Sequence, residues 1–181
     1  YFPSWMMGLQ PNLKIMQTTH TADLSINFGR KVRNLMDTEE YTKIFQDVNL
    51  AADSKSAGKW QTSKGGEYFA AGVGGAIAGR GADLLIIDDP HSEQDAMSMN
   101  LLDSCYEWYT SGPRQRLQPG GAIVVVMTRW SKRDLTGQIL KNSVQRSGED
   151  WELIEFPAIL PSGNPLWPQF WPIEELEVLK N

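Results

Sequence analysis

The chain has 181 residues, 41% of them hydrophobic and 22% charged, enough for one core of ordinary size and little more. Its single cysteine, Cys105, excludes an internal disulfide framework or a thiolate zinc cluster, and its two histidines form no ligand-spaced pair, which fits a reducing, cytoplasmic setting. A net charge of -5 excludes a module that binds by coating a duplex with cations, so any nucleic-acid contact has to be local, weak or supplied by other parts.

The chain opens on Tyr1-Phe2-Pro3-Ser4-Trp5, an aromatic stretch with no polar leader, and the expectation is a domain cut from a longer protein. Neither a signal-peptide layout nor an apolar run near the roughly 20 residues that cross a bilayer is present, so a soluble protein is expected. Leu13-Lys14-Ile15-Met16-Gln17-Thr18 follows the turn-like Gln10-Pro11-Asn12 and reads as a strand. Thr21 then caps a helix in which Leu24, Phe28, Val32, Leu35 and Met36 recur at helical spacing. A short helix carries Tyr41, Ile44 and Phe45. Residues 46–66 lack periodicity, and Asp53, Ser54, Lys55, Ser56 and Gly58 read as an exposed connection.

Tyr68 to Val73 reads as a strand entering a glycine-rich segment that runs to Gly81. Leu84-Leu85-Ile86-Ile87 is an unbroken apolar run, the form of a parallel strand buried on both faces. Leu101, Leu102, Cys105, Trp108 and Tyr109 suit a helix ending near Gly112-Pro113. After Pro119-Gly120-Gly121 comes a second continuous apolar strand, Ala122 to Met127, then a helix marked by Leu135, Ile139 and Leu140, then a strand from Trp151 to Phe156. The tail is punctuated by Pro157, Pro161, Pro165, Pro168 and Pro172 before a last helix from Ile173. Strands alternating with helical patterns predict an α/β domain with a mostly parallel sheet flanked by helices.

In such a sheet ligands sit beyond the carboxyl ends of the strands. Polar residues follow an apolar strand in two places: Asp88-Asp89-Pro90-His91, and Thr128-Arg129-Trp130. Four apolar residues and two carboxylates have the form of a Walker B element, in which the first carboxylate orders water around Mg²⁺ and the second holds the attacking water in line. The plainer alternative is that Asp88 and Asp89 end a strand and cap the next helix. Thr128 is either a functional hydroxyl or a strand-terminal threonine satisfied by backbone. Arg80, in Gly79-Arg80-Gly81, is either a free guanidinium or a surface arginine paired to an acid. Arg129 is a candidate for phosphate sensing or for bracing the sheet edge, and Trp130 is expected in the core. Gly74 to Gly81 superficially echoes a P-loop, but Arg80 stands in place of the lysine, Gly81 in place of the metal-binding hydroxyl, and no helix has room to follow.

Thr19-His20-Thr21-Ala22-Asp23-Leu24, Phe28-Gly29-Arg30-Lys31-Val32-Arg33, Gly79 to Pro90, Gly120-Gly121-Ala122-Ile123 and Met127-Thr128-Arg129-Trp130 together resemble, in order and spacing, the terminase large subunit of tailed bacteriophages. The resemblance covers nearly the whole chain. It implies a RecA-like ATPase core of the ASCE class, lacking its P-loop segment: residues 1–156 would be a partial ATPase domain, and residues 157–181 an extension toward an absent nuclease domain. By motif, Asp88 would be the magnesium-site residue and Asp89 would stand where a catalytic Glu is common. Thr128 would be the coupling residue that senses the γ-phosphate, Arg80 an arginine reaching a neighbouring subunit's nucleotide, and Arg129 a nucleotide-binding group. ATP and Mg²⁺ are the implied cofactors. Double-stranded DNA, a portal protein, the small terminase subunit and further copies in a ring are the implied partners, no membrane is involved, and the implied setting is the cytoplasm of a host bacterium.

The alternatives are a superfamily-two helicase core, because Asp88-Asp89-Pro90-His91 mimics a D-E-x-H box, and a non-catalytic assembly or DNA-binding module that retains an ATPase-like sheet. One adjacent acid pair is too little for a two-metal nuclease.

Overall fold

The protein is described here by a computed structural model covering residues 1–54, 56–143 and 150–179. Two compact units divide between Gln145 and Arg146. The first holds α1 (Phe2–Leu9), β1 (Lys14–Thr19), α2 (Ala22–Met36), α3 (Glu39–Ile44), β2 (Lys59–Gln61), β3 (Glu67–Gly72), β4 (Ala82–Asp88), α4 (Glu93–Ala96), α5 (Met99–Ser111), a 3-10 turn (Pro113–Arg116), β5 (Leu117–Val126) and α6 (Leu135–Ser143). The aromatic opening is therefore helical, with Pro3 in the first turn, where a missing N–H costs nothing.

The five strands form one sheet in the order β2-β3-β1-β4-β5. β1 runs parallel to both β3 and β4, β4 runs parallel to β5, and only β2 is antiparallel. The α/β class with a mostly parallel sheet is thus as the sequence pattern predicts. The chain leaves β1 toward β3 but leaves β4 toward β5. The two connections diverge, and a topological switch point lies between β1 and β4 at their carboxyl ends, where open α/β sheets bind ligands.

Alternation along the strands assigns the two faces. Ile15, Tyr68, Ala70, Leu84 and Ile86 join Val32 and Met36 of α2 in one core, while the intervening Met16, Thr18, Leu85 and Ile87 are buried on the other face. Each fully buried isoleucine or leucine contributes ~2 kcal/mol. Thr21 caps α2 by accepting the Leu24 N–H, and the helix lays Ser25, Gly29, Val32 and Met36 inward. Gly29 is required there, because a Cβ would stand 2.6 Å from the Ala57 carbonyl oxygen and 2.8 Å from the Tyr68 ring.

Three expectations need correction. The stretch before β3 is not merely an exposed connection: it supplies β2, and Trp60 is fully buried, stacked on Tyr68 with centroids 4.9 Å apart and its indole N–H donated to the Gly29 carbonyl. A three-residue strand around one tryptophan is too short to leave a periodic signature; Lys55, part of the expected connection, lies outside the described residues. Second, the Ala122–Met127 run is not a strand buried on both faces. β5 starts earlier, at Leu117, carries Pro119-Gly120-Gly121 within it beside a register shift between Ala82 and Leu84, and ends at Val126 as a largely exposed edge strand. Gly120 adopts φ 79 there, a conformation suited to glycine.

Third, residues 151–156 form no strand. Their apolar pattern is real, but a strand also needs a neighbour for its backbone groups; no ladder includes this segment, and Leu153, Ile154 and Phe156 are exposed. The segment belongs to the second compact unit. Within that second unit, Ile159 bridges Pro165 around a tight turn, Trp167 stacks on Phe170, and α7 (Ile173–Leu179) forms where the last helix is expected. Among the described residues, no helix is long and apolar enough to cross a membrane.

Candidate functional site

β4 delivers its two acids to the switch point, and the backbone treats them differently. Asp88 is the last strand residue, half-buried, on the same face as Leu84 and Ile86. Burial, and then the charge of Asp89, hold its pKa above the usual carboxylate range. Asp89 leaves the strand with φ 43, the only described non-glycine residue at positive φ, and is exposed. Aspartate tolerates this left-handed region better than most side chains, although the conformation still carries strain.

What holds Asp89 there is a three-way tie. Its N–H donates to the Val126 carbonyl at 2.9 Å, its carbonyl accepts from the His20 N–H at 3.1 Å, and its Oδ1 accepts the Thr128 N–H at 3.3 Å. The ends of β1, β4 and β5 are thus pinned to one residue. Neither acid caps the following helix: Ser92 and Asp95 form a reciprocal capping box on α4. His20 Nδ1 is buried without a hydrogen-bond partner among the described residues, an orphan polar atom that suits an edge completed by a bound polar group.

The Thr128-Arg129-Trp130 loop meets this edge from β5. Thr128 is exposed, and its hydroxyl has no partner among the described residues, so it is not satisfied by backbone. Arg129 is committed elsewhere: its Nε lies 2.9 and 3.2 Å from the Asp134 carboxylate oxygens, and its Nη2 donates to the Ser131 carbonyl. Trp130 is 43% exposed and does not join the core as expected, because the loop turns outward before α6 begins.

Asp134 is the residue that sequence reasoning missed. It is fully buried and also accepts the N–H groups of Trp130, Ser131 and Gly137. Burial alone would raise its pKa, but the Arg129 hydrogen bond and those from Gly137, Ser131 and Trp130 outweigh it and hold the carboxyl below the usual range. An acid directly before the apolar start of α6 is an N-cap signal, and that signal was available in Asp134-Leu135.

Arg80 stands apart from these groups. It precedes β4, whose six-residue rise separates Ala82 from Asp88 by about 20 Å. There its Nη1 lies 2.8 Å from Glu67 Oε1, and its guanidinium sits over the Phe69 ring, 4.0 Å from the centroid. A cavity of about 370 Å³ lined by Lys14, Lys59, Glu67 and Ala78 to Gly81 lies at this amino-terminal edge, not beside the acids. The glycine-rich segment runs straight into β4 without an intervening helix.

No cluster of three or more His, Cys, Asp or Glu suited to a metal occurs among the described residues. A single carboxylate nevertheless fits Mg²⁺ when phosphates and water complete its octahedron, and a carboxylate raised by burial and a like charge gains most from a cation beside it. No known family model matches the chain, and no curated protein sequence is significantly similar to it.

Proposed function

We propose that this chain is the magnesium- and water-handling part of a RecA-like ATPase of the terminase large-subunit type, which drives double-stranded DNA into a procapsid. The observation that carries the reading is the convergence at the switch point: Asp89 accepts the Thr128 N–H, which joins the acid pair of one strand to the threonine of the next. On this reading Asp88 holds Mg²⁺ through water, and Asp89 keeps Oδ2 for the attacking water while Oδ1 senses the β5 loop. The free Thr128 hydroxyl is a suitable donor to a γ-phosphate. Groups that cradle the phosphates would have to come from a segment other than those described, and the edge position of β5 would let one more strand pair beside it. The partners on this reading are ATP, Mg²⁺, DNA, a portal, a small subunit and further copies in a ring, in the host cytoplasm.

The test is Thr128→Val in a version extended upstream through the P-loop, since valine keeps the branched shape and deletes only the hydroxyl. Packaging should fall more steeply than nucleotide binding. Equal losses of binding and packaging would make Thr128 a structural residue. One observation favours a non-catalytic module instead: both candidate phosphate-directed arginines, Arg80 and Arg129, are paired within the chain.

A further inference from the structure

His91 follows the acid pair and Pro90, yet none of the roles proposed above uses it. It is only 5% exposed, and its Nε2 accepts the Leu135 N–H at 2.9 Å. That N–H is the first of the backbone donors that α6 leaves unsatisfied at its start. Asp134 takes the Gly137 N–H of the same turn. The amino terminus of α6 is therefore capped by two side chains from two different loops: Asp134 from the loop that carries Thr128 and Arg129, and His91 from the loop that begins with Asp89 directly after Asp88.

We propose that His91 is a positioning residue that fixes the distance between the acidic end of β4 and the Thr128 loop by holding the start of α6. This deepens the ATPase reading and rests on it for its catalytic meaning, but the clamp itself is a matter of geometry. The bond requires a neutral imidazole with its proton on Nδ1, because only an unprotonated Nε2 accepts. The acid loop is then tied to the β5 side at two points: Asp89 to Val126 and Thr128, and His91, two residues past Asp89, to Leu135, seven residues past Thr128. Without the second tie, α6 and its Asp134-held loop are free to drift from Asp89 while both loops keep their internal bonds.

The experiment compares His91→Gln and His91→Leu in the 181-residue chain. Glutamine places an acceptor near the position of Nε2, whereas leucine fills the volume without one. Amide hydrogen exchange is read at Leu135, at Asp89, whose N–H joins β4 to β5, and at Ile86 as a control for global opening. The leucine variant should lose about tenfold in protection at Leu135 and several-fold at Asp89 with Ile86 unchanged, and glutamine should restore most of both. Loss at Leu135 with no change at Asp89 would overturn the proposal, leaving His91 a helix cap and nothing more. If the leucine variant does not fold, His91→Asn, whose shorter amide cannot reach Leu135, takes its place with the same two expectations. In the upstream-extended protein, His91→Leu should lower kcat with little change in KM. An extended protein that hydrolyses no ATP would defeat the ATPase reading while leaving the exchange result to decide the clamp.

Discussion

The two edges of the sheet use the same kinds of residue to opposite effect. At the amino-terminal edge, Arg80, Glu67 and Phe69 form a closed set: charge is paired, the guanidinium lies on a ring, and the positive φ beside Arg80 falls on Gly79, where it carries no strain. At the carboxyl-terminal edge, Asp88 keeps a raised pKa, Asp89 sits at positive φ, and neither His20 Nδ1 nor the Thr128 hydroxyl has a hydrogen-bond partner among the described residues. Unspent interactions gathered at one strand end, and spent ones at the other, are what distinguish a site from a brace.

The sharpest way to break this contrast is to show that Arg80 acts beyond its own chain. If it reaches a neighbouring subunit's nucleotide, Arg80→Ala in the upstream-extended ring should bind ATP normally and lose ~10³-fold or more in hydrolysis. Mixing that protein with an Asp89→Asn protein should then recover turnover, since each supplies what the other lacks. If Arg80 is the brace that its Glu67 pair describes, mixed rings will show no recovery, and Arg80→Ala will cost only about 1 kcal/mol or less in urea denaturation, the scale of a partly exposed ion pair.

Asp134→Ala should be the most destabilising change at the carboxyl-terminal edge, by about 3 kcal/mol or more, because it strips a fully buried carboxylate from Arg129 and three backbone donors. A loss below 1 kcal/mol by urea denaturation would show that the loop does not depend on it. Asp88→Asn should act in the other direction. A carboxyl whose folded pKa is raised binds its proton more tightly in the folded state, so ionisation costs stability as pH rises above 3.8 through the raised value. At pH 7 without Mg²⁺ the asparagine variant should therefore unfold at a higher urea concentration than the native chain, and an unchanged or lower midpoint would count against Asp88 being held ready for a cation.

The smallest effect concerns His91. Burial lowers its pKa below 6.5, although the carboxylates of Asp134 and Asp95, which face it, oppose the shift. The unfolded chain then binds the extra proton first, so stability should be full above pH 6.5 and decline as pH falls from there toward the lowered folded value. The difference in stability between native and His91→Gln chains, followed from pH 8 to pH 5, should narrow over that window, and a constant gap would assign the pH dependence to other groups.

Much of the fold was legible because its signals are local. Thr21 as a cap, the period of Val32 and Met36, and the unbroken Leu84 to Ile87 run each need only neighbours in sequence. The acid pair and Thr128 were legible for a related reason: in parallel sheets, residues just past apolar strands share one edge. What could not be read was set by partners distant in the chain. Trp60 is core because Gly29 and Tyr68 make room for it, β5 is exposed because nothing in the sheet lies beyond it, and residues 151–156 form no strand because strand character needs a paired backbone. Asp134, and the capping role of His91 as distinct from its place in a D-E-x-H-like run, could not be read because a shared cap is visible only once two loops meet at the start of α6.

If Asp89 orients water for phosphoryl transfer, as proposed, ATP turnover measures it directly. The 181-residue chain should hydrolyse ATP negligibly, whereas the upstream-extended protein should turn it over with Mg²⁺ and lose ~10²-fold or more on Asp89→Asn with nucleotide binding retained. Robust turnover by the chain alone that Asp88→Ala abolishes, or an extended protein indifferent to Asp89→Asn, would contradict the account.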